Sequence, residues 1–315
     1  MGAAKEFLKQ RLSSIGYELK KNTLSLNLPT KAEIIQEFKC SGSIPWSMGY
    51  DEFKEDQILS VLANSAIIQK FQDNDELPKG FGIGLDERII EYPWFLSQVE
   101  NANKNNLRYL DAGPVMNHEF IVNRARKLAS NVHFTTLSHE ENCFHHLDIS
   151  YLFADLINLP IKDNFYDLIS CISTLEHVGC DNVCYGSNTS SFKENQKNFH
   201  YLEGAKELLR VLKPGGSLYI TVPFGKYMHL GMIQQFDQEM IERLTGLFDV
   251  EQLGIDYYRY DSEGWQKSNQ KKCVDSVFVK WLTEALMQKK FPTPHPVEQD
   301  LAAAARSVCC LQIKK

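Results

Sequence analysis

The chain has 315 residues, of which 43% are hydrophobic and 11% aromatic, so it can bury a large core and general disorder is excluded. Its 34 Lys and Arg residues against 40 Asp and Glu residues give a formal net charge of −6. Because a phosphate backbone is bound by clustered cations, this balance disfavours a nucleic-acid partner. No apolar run approaches the roughly 18–20 residues of a membrane span. The N-terminus lacks the apolar segment of a secretion signal, so we expect a cytoplasmic protein with no membrane partner.

The eight cysteines allow two interpretations, a disulfide set or free thiols. A chain of this size without a secretion signal favours free thiols, and several cysteines lie in apolar runs such as SVCCLQI. Cys180 and Cys184 are the one closely spaced pair, and no second pair follows at zinc spacing. We therefore expect packing cysteines and no structural zinc.

The first eighty or so residues show helical rather than alternating patterns. Apolar residues between Phe53 and Phe71 predict one or two helices, and a further helical stretch contains the sequence DERIIEYPWFL. We expect residues 1–83 to form a helical N-terminal arm or lid and residues 84–315 to form the main domain.

From Leu107 onward, short β-like runs alternate with amphipathic stretches, which is typical of a mostly parallel sheet with helices on its faces. The predicted strands are Leu107–Gly113, Val132–Ser138, Ile149–Asp155, Tyr166–Ser173, Ser217–Phe224, Phe248–Tyr258 and the final SVCCLQI. The predicted helical stretches are Phe120–Leu128, Glu194–Leu212, Gln238–Leu247 and Val274–Leu282, with Lys213-Pro214-Gly215-Gly216 ending the second of them. The pattern predicts an α/β fold.

Ligands of open α/β sheets bind beyond the carboxyl ends of the strands, so the residues that follow each strand are informative. Here they read Asp111-Ala-Gly-Pro, Ser138-His-Glu-Glu, Asp155-Leu-Ile-Asn, Ser173-Thr-Leu-Glu-His and Val222-Pro-Phe-Gly. In this order they resemble the motif series of class I S-adenosylmethionine-dependent methyltransferases. The stretches 151–179 and 207–225 are most similar to the small-molecule, type 11-like branch of that superfamily. The G-x-G-x-x-G fingerprint of dinucleotide-binding folds is absent.

The resemblance extends from Leu107 to the C-terminus and implies a Rossmann-like seven-stranded sheet, mostly parallel with a reversed last strand. A looser resemblance, carried by GIGLDERIIEYPW and LDAGPVMNHEF, links the chain to a bacterial group associated with surface-polysaccharide and other specialised biosynthesis.

The resemblance also implies S-adenosylmethionine as the cofactor and assigns residues to it. Asp111, Ala112, Gly113 and Pro114 would form the turn under its methionine part, with Asp111 near the ammonium group. Asp155 would accept a hydrogen bond from the adenine amino group, with the Leu156 N–H facing a ring nitrogen. Ser173 and Thr174 would line the methionine and sulfonium.

Two features depart from the family pattern. The first loop continues as Pro114-Val115-Met116-Asn117-His118, where further glycines are usual. The second strand ends at Ser138, where an acidic residue usually binds the ribose hydroxyls, and Glu140 is our candidate for that contact.

Methyl transfer to a hydroxyl needs a base to accept its proton. His177, beside Glu176 after the fourth predicted strand, suits this role, although the pair could instead cap the following turn. His118 is a second candidate and could equally contact the cofactor carboxylate. Glu119, Glu176 and Asp181 form no recognisable ligand run, so we expect no metal.

The N-terminal segment supplies the candidates for acceptor binding, because lids of this fold usually come from the N-terminus. These are Arg88 and Tyr92, which could equally contact the cofactor, and more weakly Trp46, while the alternative is a solvated helix face with a packed underside.

These observations predict an S-adenosylmethionine-dependent methyltransferase that acts on a small polar or sugar-like acceptor, with oxygen as the methylated atom. The alternative is a non-catalytic methyltransferase-like binding module, which the altered first loop motivates. Methylation of protein or nucleic acid ranks last, because the chain lacks a basic channel and the Asn-Pro-Pro-Tyr type of signature.

Overall fold

A computed structural model describes residues 29–99, 107–140, 142–182, 197–249, 252–288, 290, 292 and 296–315. Several sequence predictions lie outside these residues, namely those on the first 28 residues, Glu141, Cys184 and the start of the helix predicted from Glu194. In the described part, no helix is long and apolar enough to cross a membrane. The seven cysteines of the described residues are free, and five of them are buried.

The helices and strands alternate after an all-helical N-terminal region. The α-helices are α1 (Lys31–Cys40), α2 (Tyr50–Ala63), α3 (Ser65–Gln72), α4 (Arg88–Val99), α5 (Val122–Leu128), α6 (Tyr201–Val211), α7 (Gln238–Thr245), α8 (Gln270–Cys273) and α9 (Lys280–Gln288). The strands are β1 (Arg108–Ala112), β2 (Asn131–Thr136), β3 (Ile149–Phe153), β4 (Tyr166–Ile172), β5 (Leu212–Pro223), β6 (Met228–His229), β7 (Gln234–Gln235), β8 (Gln252–Asp261), β9 (Gly264–Ser268) and β10 (Ser307–Lys314). Single 3₁₀ turns lie at His145–Leu147 and Leu175–His177.

The main sheet has eight strands in the order β3-β2-β1-β4-β5-β10-β8-β9. Strands β3, β2, β1, β4 and β5 are parallel neighbours, whereas β10 is antiparallel to both β5 and β8. The predicted α/β class and the reversed final strand are confirmed. The predicted seven strands become eight, because β9 folds back on the end of β8 as an antiparallel hairpin.

Side chains alternate between two hydrophobic clusters, one on each face of the sheet. Tyr109 of β1 belongs to the cluster that includes residues of α1–α5, and Leu110 belongs to the cluster that includes residues of α6, α7 and α8. The N-terminal helices therefore share a continuous core with one face of the sheet.

The end of α6 differs from the prediction. Lys213-Pro214-Gly215-Gly216 is part of β5, which begins at Leu212, and is not a separate turn after the helix. Gly215 has a φ of +76° and donates its N–H to the Lys315 carbonyl 2.6 Å away. Leu212 already has extended backbone, so the strand follows the helix directly, and the left-handed Gly215 lies in the irregular first part of β5. The helices predicted at 120–128 and 274–282 begin later, at Val122 and Lys280.

Candidate functional site

A cavity of about 460 Å³ lies at the carboxyl ends of β1, β2, β3 and β4. Parallel strands end at the same edge of the sheet, and this edge is where α/β folds bind ligands. Its volume is within the roughly 300–1,000 Å³ typical of small-molecule sites. The wall consists of Arg88, Gly113, Pro114, Val115, His118, Thr135, Thr136, Leu137, Glu140, Ala154, Asp155, Leu156, Ile157, Ile172, Ser173, Thr174, His177, Val178, Gly179, Cys180, Asn182 and His200.

The first loop passes very close to the end of β4 at Gly113. This residue has a φ of +85°, and a Cβ added to it would overlap the side chain of Thr174 and lie 2.7 Å from its Cβ. The next residues turn into the protein: Met116 is fully buried, and the Val115 carbonyl accepts a hydrogen bond from the Tyr92 hydroxyl at 2.6 Å. Pro114 and Val115 therefore form part of the wall, and the loop leaves the cavity open.

Asp111 fixes this loop from below and is not part of the cavity wall. One carboxylate oxygen accepts a hydrogen bond from the Met116 N–H at 2.8 Å, and the other accepts one from the Ser170 hydroxyl at 2.6 Å. Complete burial raises the pKa of Asp111 to about 7, against the opposing effect of these hydrogen bonds. Asp111 thus contacts the first loop and β4 within the protein, and its predicted contact with the cofactor ammonium stays a prediction.

Acidic side chains face the cavity from the ends of β2 and β3. Glu140 accepts a hydrogen bond from the hydroxyl of Thr136, the last residue of β2, at 2.8 Å. Asp155 accepts one from the Ile157 N–H at 3.2 Å, which closes a tight turn after β3. Both carboxylates keep acceptor capacity beyond these single bonds. Glu140 thus lies in the wall next to the end of β2, and its contact with the ribose stays a prediction.

The end of β4 is held by a buried network around Ser173. This residue has a φ of +41°, which is unusual for a residue with a side chain. Its N–H donates to the Thr221 side chain at 3.0 Å, and its hydroxyl donates to Glu91 of α4 at 2.7 Å. The network holds the neighbouring residue Thr174 against Gly113.

His177 lies in the cavity wall and is neutral near pH 7. Its Nδ1 is 3.0 Å from the Met232 carbonyl, which can only accept, so the proton belongs on Nδ1 and Nε2 carries the lone pair. Burial lowers the pKa of His177 to about 4. The adjacent Glu176 is buried outside the wall, and burial raises its pKa well above the ordinary range. The burial of Glu176 thus favours its uncharged form, and the hydrogen bond of the His177 side chain described above is with the Met232 carbonyl and not with Glu176.

The second predicted base and the predicted acceptor-binding residues have different positions. His118 is exposed and lines the cavity, and desolvation, followed by the cations of Arg88 and Lys54, lowers its pKa. Arg88 also lines the cavity. Tyr92 is buried beneath the first loop, and Trp46 donates its indole N–H to the Ala303 carbonyl at 2.7 Å.

The structure brings most of the predicted residues together. Of the predicted cofactor set, the residues in the wall are Gly113, Pro114, Glu140, Asp155, Leu156, Ser173 and Thr174, whereas Asp111, Ala112 and Ser138 are outside it. Sequence reasoning missed Asn182, His200 and Cys180 as wall residues and Glu91 as the partner of Ser173. Glu91 had a visible signal, since it follows Arg88 by three residues on a predicted helix. Within the described residues, no three His, Cys, Asp or Glu side chains form a group suited to a metal ion.

Comparison with known proteins gives a family match that overlaps this site. Residues 115–220 match the family described as "Methyltransferase domain". This part of the chain is similar to a methyltransferase domain. The match agrees with the domain that the strand-end motifs predict, and S-adenosylmethionine is the cofactor that such a domain implies.

Other similarities are more distant. An uncharacterized protein of Methanocaldococcus jannaschii is 33% identical over 69 residues, which are 22% of this chain and 21% of that protein. The chain thus spans about a fifth of the length of the curated relative that it matches. The N-methyltransferase NodS of Bradyrhizobium japonicum, solved with S-adenosyl-L-homocysteine, is 11% identical with a TM-score of 0.37, over 83% of this chain and 98% of that chain. A SAM-dependent methyltransferase of Archaeoglobus fulgidus is 8% identical with a TM-score of 0.41, over 80% of this chain and 100% of that chain.

Proposed function

We propose that the protein is an S-adenosylmethionine-dependent methyltransferase that methylates a small polar or sugar-like acceptor at oxygen. The observation that carries the proposal is the cavity at the carboxyl ends of β1–β4, whose wall combines Gly113, Glu140, Asp155 and Ser173 and overlaps the methyltransferase match. The looser sequence resemblance to bacterial specialised biosynthesis supports the choice of a small acceptor.

The polar residues of the wall fit the cofactor. Glu140 would accept hydrogen bonds from the ribose hydroxyls and Asp155 from the adenine amino group, because each carboxylate has one protein donor and room for more. Leu137 and Ile157, which are partly exposed in the wall, offer apolar surface for the adenine ring. The close approach of Gly113 and Thr174 would let backbone groups contact the methionine part.

When bound, the cofactor supplies a methyl group on a positively charged sulfur, which is already activated for transfer. The protein therefore has to align the acceptor with the methyl group and remove a proton from the hydroxyl. His177 is neutral with Nε2 as its basic nitrogen, which suits it to accept this proton. The alternative base is His118, which lies in the first loop and also lines the cavity.

The cavity also bears on the alternative of a non-catalytic binding module. That alternative requires the first loop to close the cofactor space with Pro114, Val115 and Met116. Met116 is instead buried in the core beneath the loop, with its N–H on Asp111. The geometry of the loop thus supports the enzyme over the module.

Isothermal titration with S-adenosylmethionine and S-adenosyl-L-homocysteine tests the cofactor part. We expect the wild-type protein and the surface control Glu239→Gln to bind both, and Asp155→Asn and Glu140→Gln to bind about tenfold or more weakly. Glu239 pairs with Arg243 on α7 and is not among the described wall residues. No binding by folded wild-type protein, or equal binding by all variants, would contradict the proposal. Incubation with a panel of sugar nucleotides, with demethylated cofactor as the readout, then identifies the acceptor.

A further inference from the structure

Glu91 is a completely buried carboxylate that joins three parts of the structure. One oxygen accepts hydrogen bonds from the hydroxyls of Ser173, at the end of β4, and Thr221, near the end of β5, at 2.7 and 2.5 Å. The other oxygen pairs with the guanidinium of Arg88, one turn earlier on α4. Every oxygen of this buried group is therefore satisfied, which makes its burial tolerable.

A buried ion pair of this kind contributes little to the stability of the fold. It stabilises the folded state little more than well-packed apolar side chains of similar size would, because both charges lose their hydration. The surrounding core is strongly apolar, since Ile90 and Phe95 of the same helix are fully buried. A functional role of Arg88 would explain why this charged pair is present in the core.

The side chain of Arg88 lines the cavity beside the first loop. Its side chain is 27% exposed, while that of Glu91 is 0% exposed. Arg88 is the one basic residue of the Lys or Arg type among the described wall residues, and it lines the wall together with Gly113, Pro114 and His118. A guanidinium has five N–H donors, and the described contact with Glu91 uses one terminal nitrogen.

Nearby carboxyl groups leave this cation available. Burial raises the pKa of Glu87 to about 8, so this carboxyl group is largely protonated near pH 7, and burial also raises the pKa of Glu176 well above its ordinary range. Asp86 is paired with Lys54 at 2.9 Å. Arg88 thus has one strong acidic partner, Glu91, on its buried side.

We propose that Arg88 binds the carboxylate of the amino-acid part of the cofactor and that Glu91 is the positioning residue that holds Arg88 in place. The assignment rests on the proposed function, which puts this part of the cofactor at Gly113 and Ser173. Guanidinium groups bind carboxylates through two parallel hydrogen bonds, so a fixed orientation raises the affinity. Because Glu91 also binds Ser173 and Thr221, the same carboxylate sets the position of Arg88 relative to the ends of β4 and β5.

Two ligands separate this role from a purely structural one. S-Adenosyl-L-homocysteine carries the amino-acid part, whereas 5′-methylthioadenosine has the same adenosine and sulfur without it. We expect Arg88→Gln and Glu91→Gln to bind S-adenosyl-L-homocysteine about 10- to 100-fold more weakly and 5′-methylthioadenosine as well as wild type. Arg88→Lys keeps the charge but not the planar fork, and should bind with intermediate affinity.

A double variant tests whether Glu91 acts through Arg88. Because the two residues form one unit, Arg88→Gln/Glu91→Gln should lose no more affinity than Arg88→Gln alone. Glu239→Gln, which breaks an exposed helical ion pair outside the described wall, serves as the matched control. Thermal unfolding checks that each variant is folded, and the partly exposed Arg88 keeps the test informative if Glu91→Gln is unstable.

Different results would overturn the role of Glu91 and the proposed function. Equal loss of affinity for both ligands, unchanged affinity for S-adenosyl-L-homocysteine, or additive losses in the double variant would overturn the role of Glu91. Failure of the wild-type protein to bind either ligand would instead overturn the proposed function, on which this inference depends.

Discussion

Replacement of Gly113 by alanine tests the contact between the first loop and the end of β4. Two costs add at this position. An L-residue in the left-handed region loses about 1–2 kcal/mol, and overpacking of a tight contact costs about 1–3 kcal/mol. The added Cβ would overlap Thr174, so one of the two segments must move. We expect Gly113→Ala to lower the free energy of unfolding by about 2–5 kcal/mol and to weaken S-adenosyl-L-homocysteine binding at least tenfold.

Gly215→Ala is the matched control, because it has the cost of a left-handed backbone without the cost of overpacking. Gly215 has a φ of +76°, but a Cβ there would meet no atom within 4 Å. It should therefore lose about 1–2 kcal/mol and bind normally. Urea unfolding and titration calorimetry measure both effects, and Thr174→Ala in the Gly113→Ala background should restore part of the loss. Equal destabilisation by the two glycine variants, with unchanged binding by both, would refute the steric argument.

Two further predictions concern proton equilibria. The pKa of Asp111 is raised to about 7, so the folded state holds a proton that the unfolded state has lost, and stability should fall as the pH rises from about 4 to about 7. The shift of roughly three units corresponds to at most about 4 kcal/mol, and Asp111→Asn should flatten this part of a urea-unfolding pH profile; an unchanged slope would argue against it. For catalysis, His177→Gln should lower kcat by about 10²–10⁴-fold with little effect on cofactor affinity. Since the pKa of His177 is about 4, kcat/KM should decline only as the pH approaches that value. A decline that begins near pH 6 and disappears in His118→Gln would assign the base to His118 instead.

The sheet was predictable because its signals are local. Runs such as 166–173 and SVCCLQI are apolar and β-branched, and the order of their carboxyl-terminal residues indicates the fold. The hairpin of β8 and β9 was not predicted, because the polar strand Gly264–Ser268 is stabilised by tertiary contacts: the Trp265 N–H donates to the Phe81 carbonyl and its indole N–H to the Leu85 carbonyl.

The cavity wall was predictable where a residue directly follows a strand. Glu140 and Asp155 were found in this way, and both line the cavity. The role of Asp111 could not be read from the sequence, because its side chain points to Ser170 on a strand 59 residues away. Glu91 likewise depends on Thr221, 130 residues away in sequence, so only the folded chain shows why a carboxylate is buried in this largely apolar helix.

The segment from Asp86 to Tyr92 connects the N-terminal helices to the cavity. The Asp86 carboxylate binds Tyr50 and Lys54 of α2, Glu91 binds the ends of β4 and β5, and the Tyr92 hydroxyl binds the first loop. A lid that opened by moving the N-terminal helices would break the buried Tyr50–Asp86 contact and shift Arg88 at the same time. The contacts of the described N-terminal helices therefore favour a fixed wall over a hinged cover. In such a site, selectivity for the acceptor would come from the shape and charge of a preformed cavity, with Arg88 held by the same helix that supports the first loop.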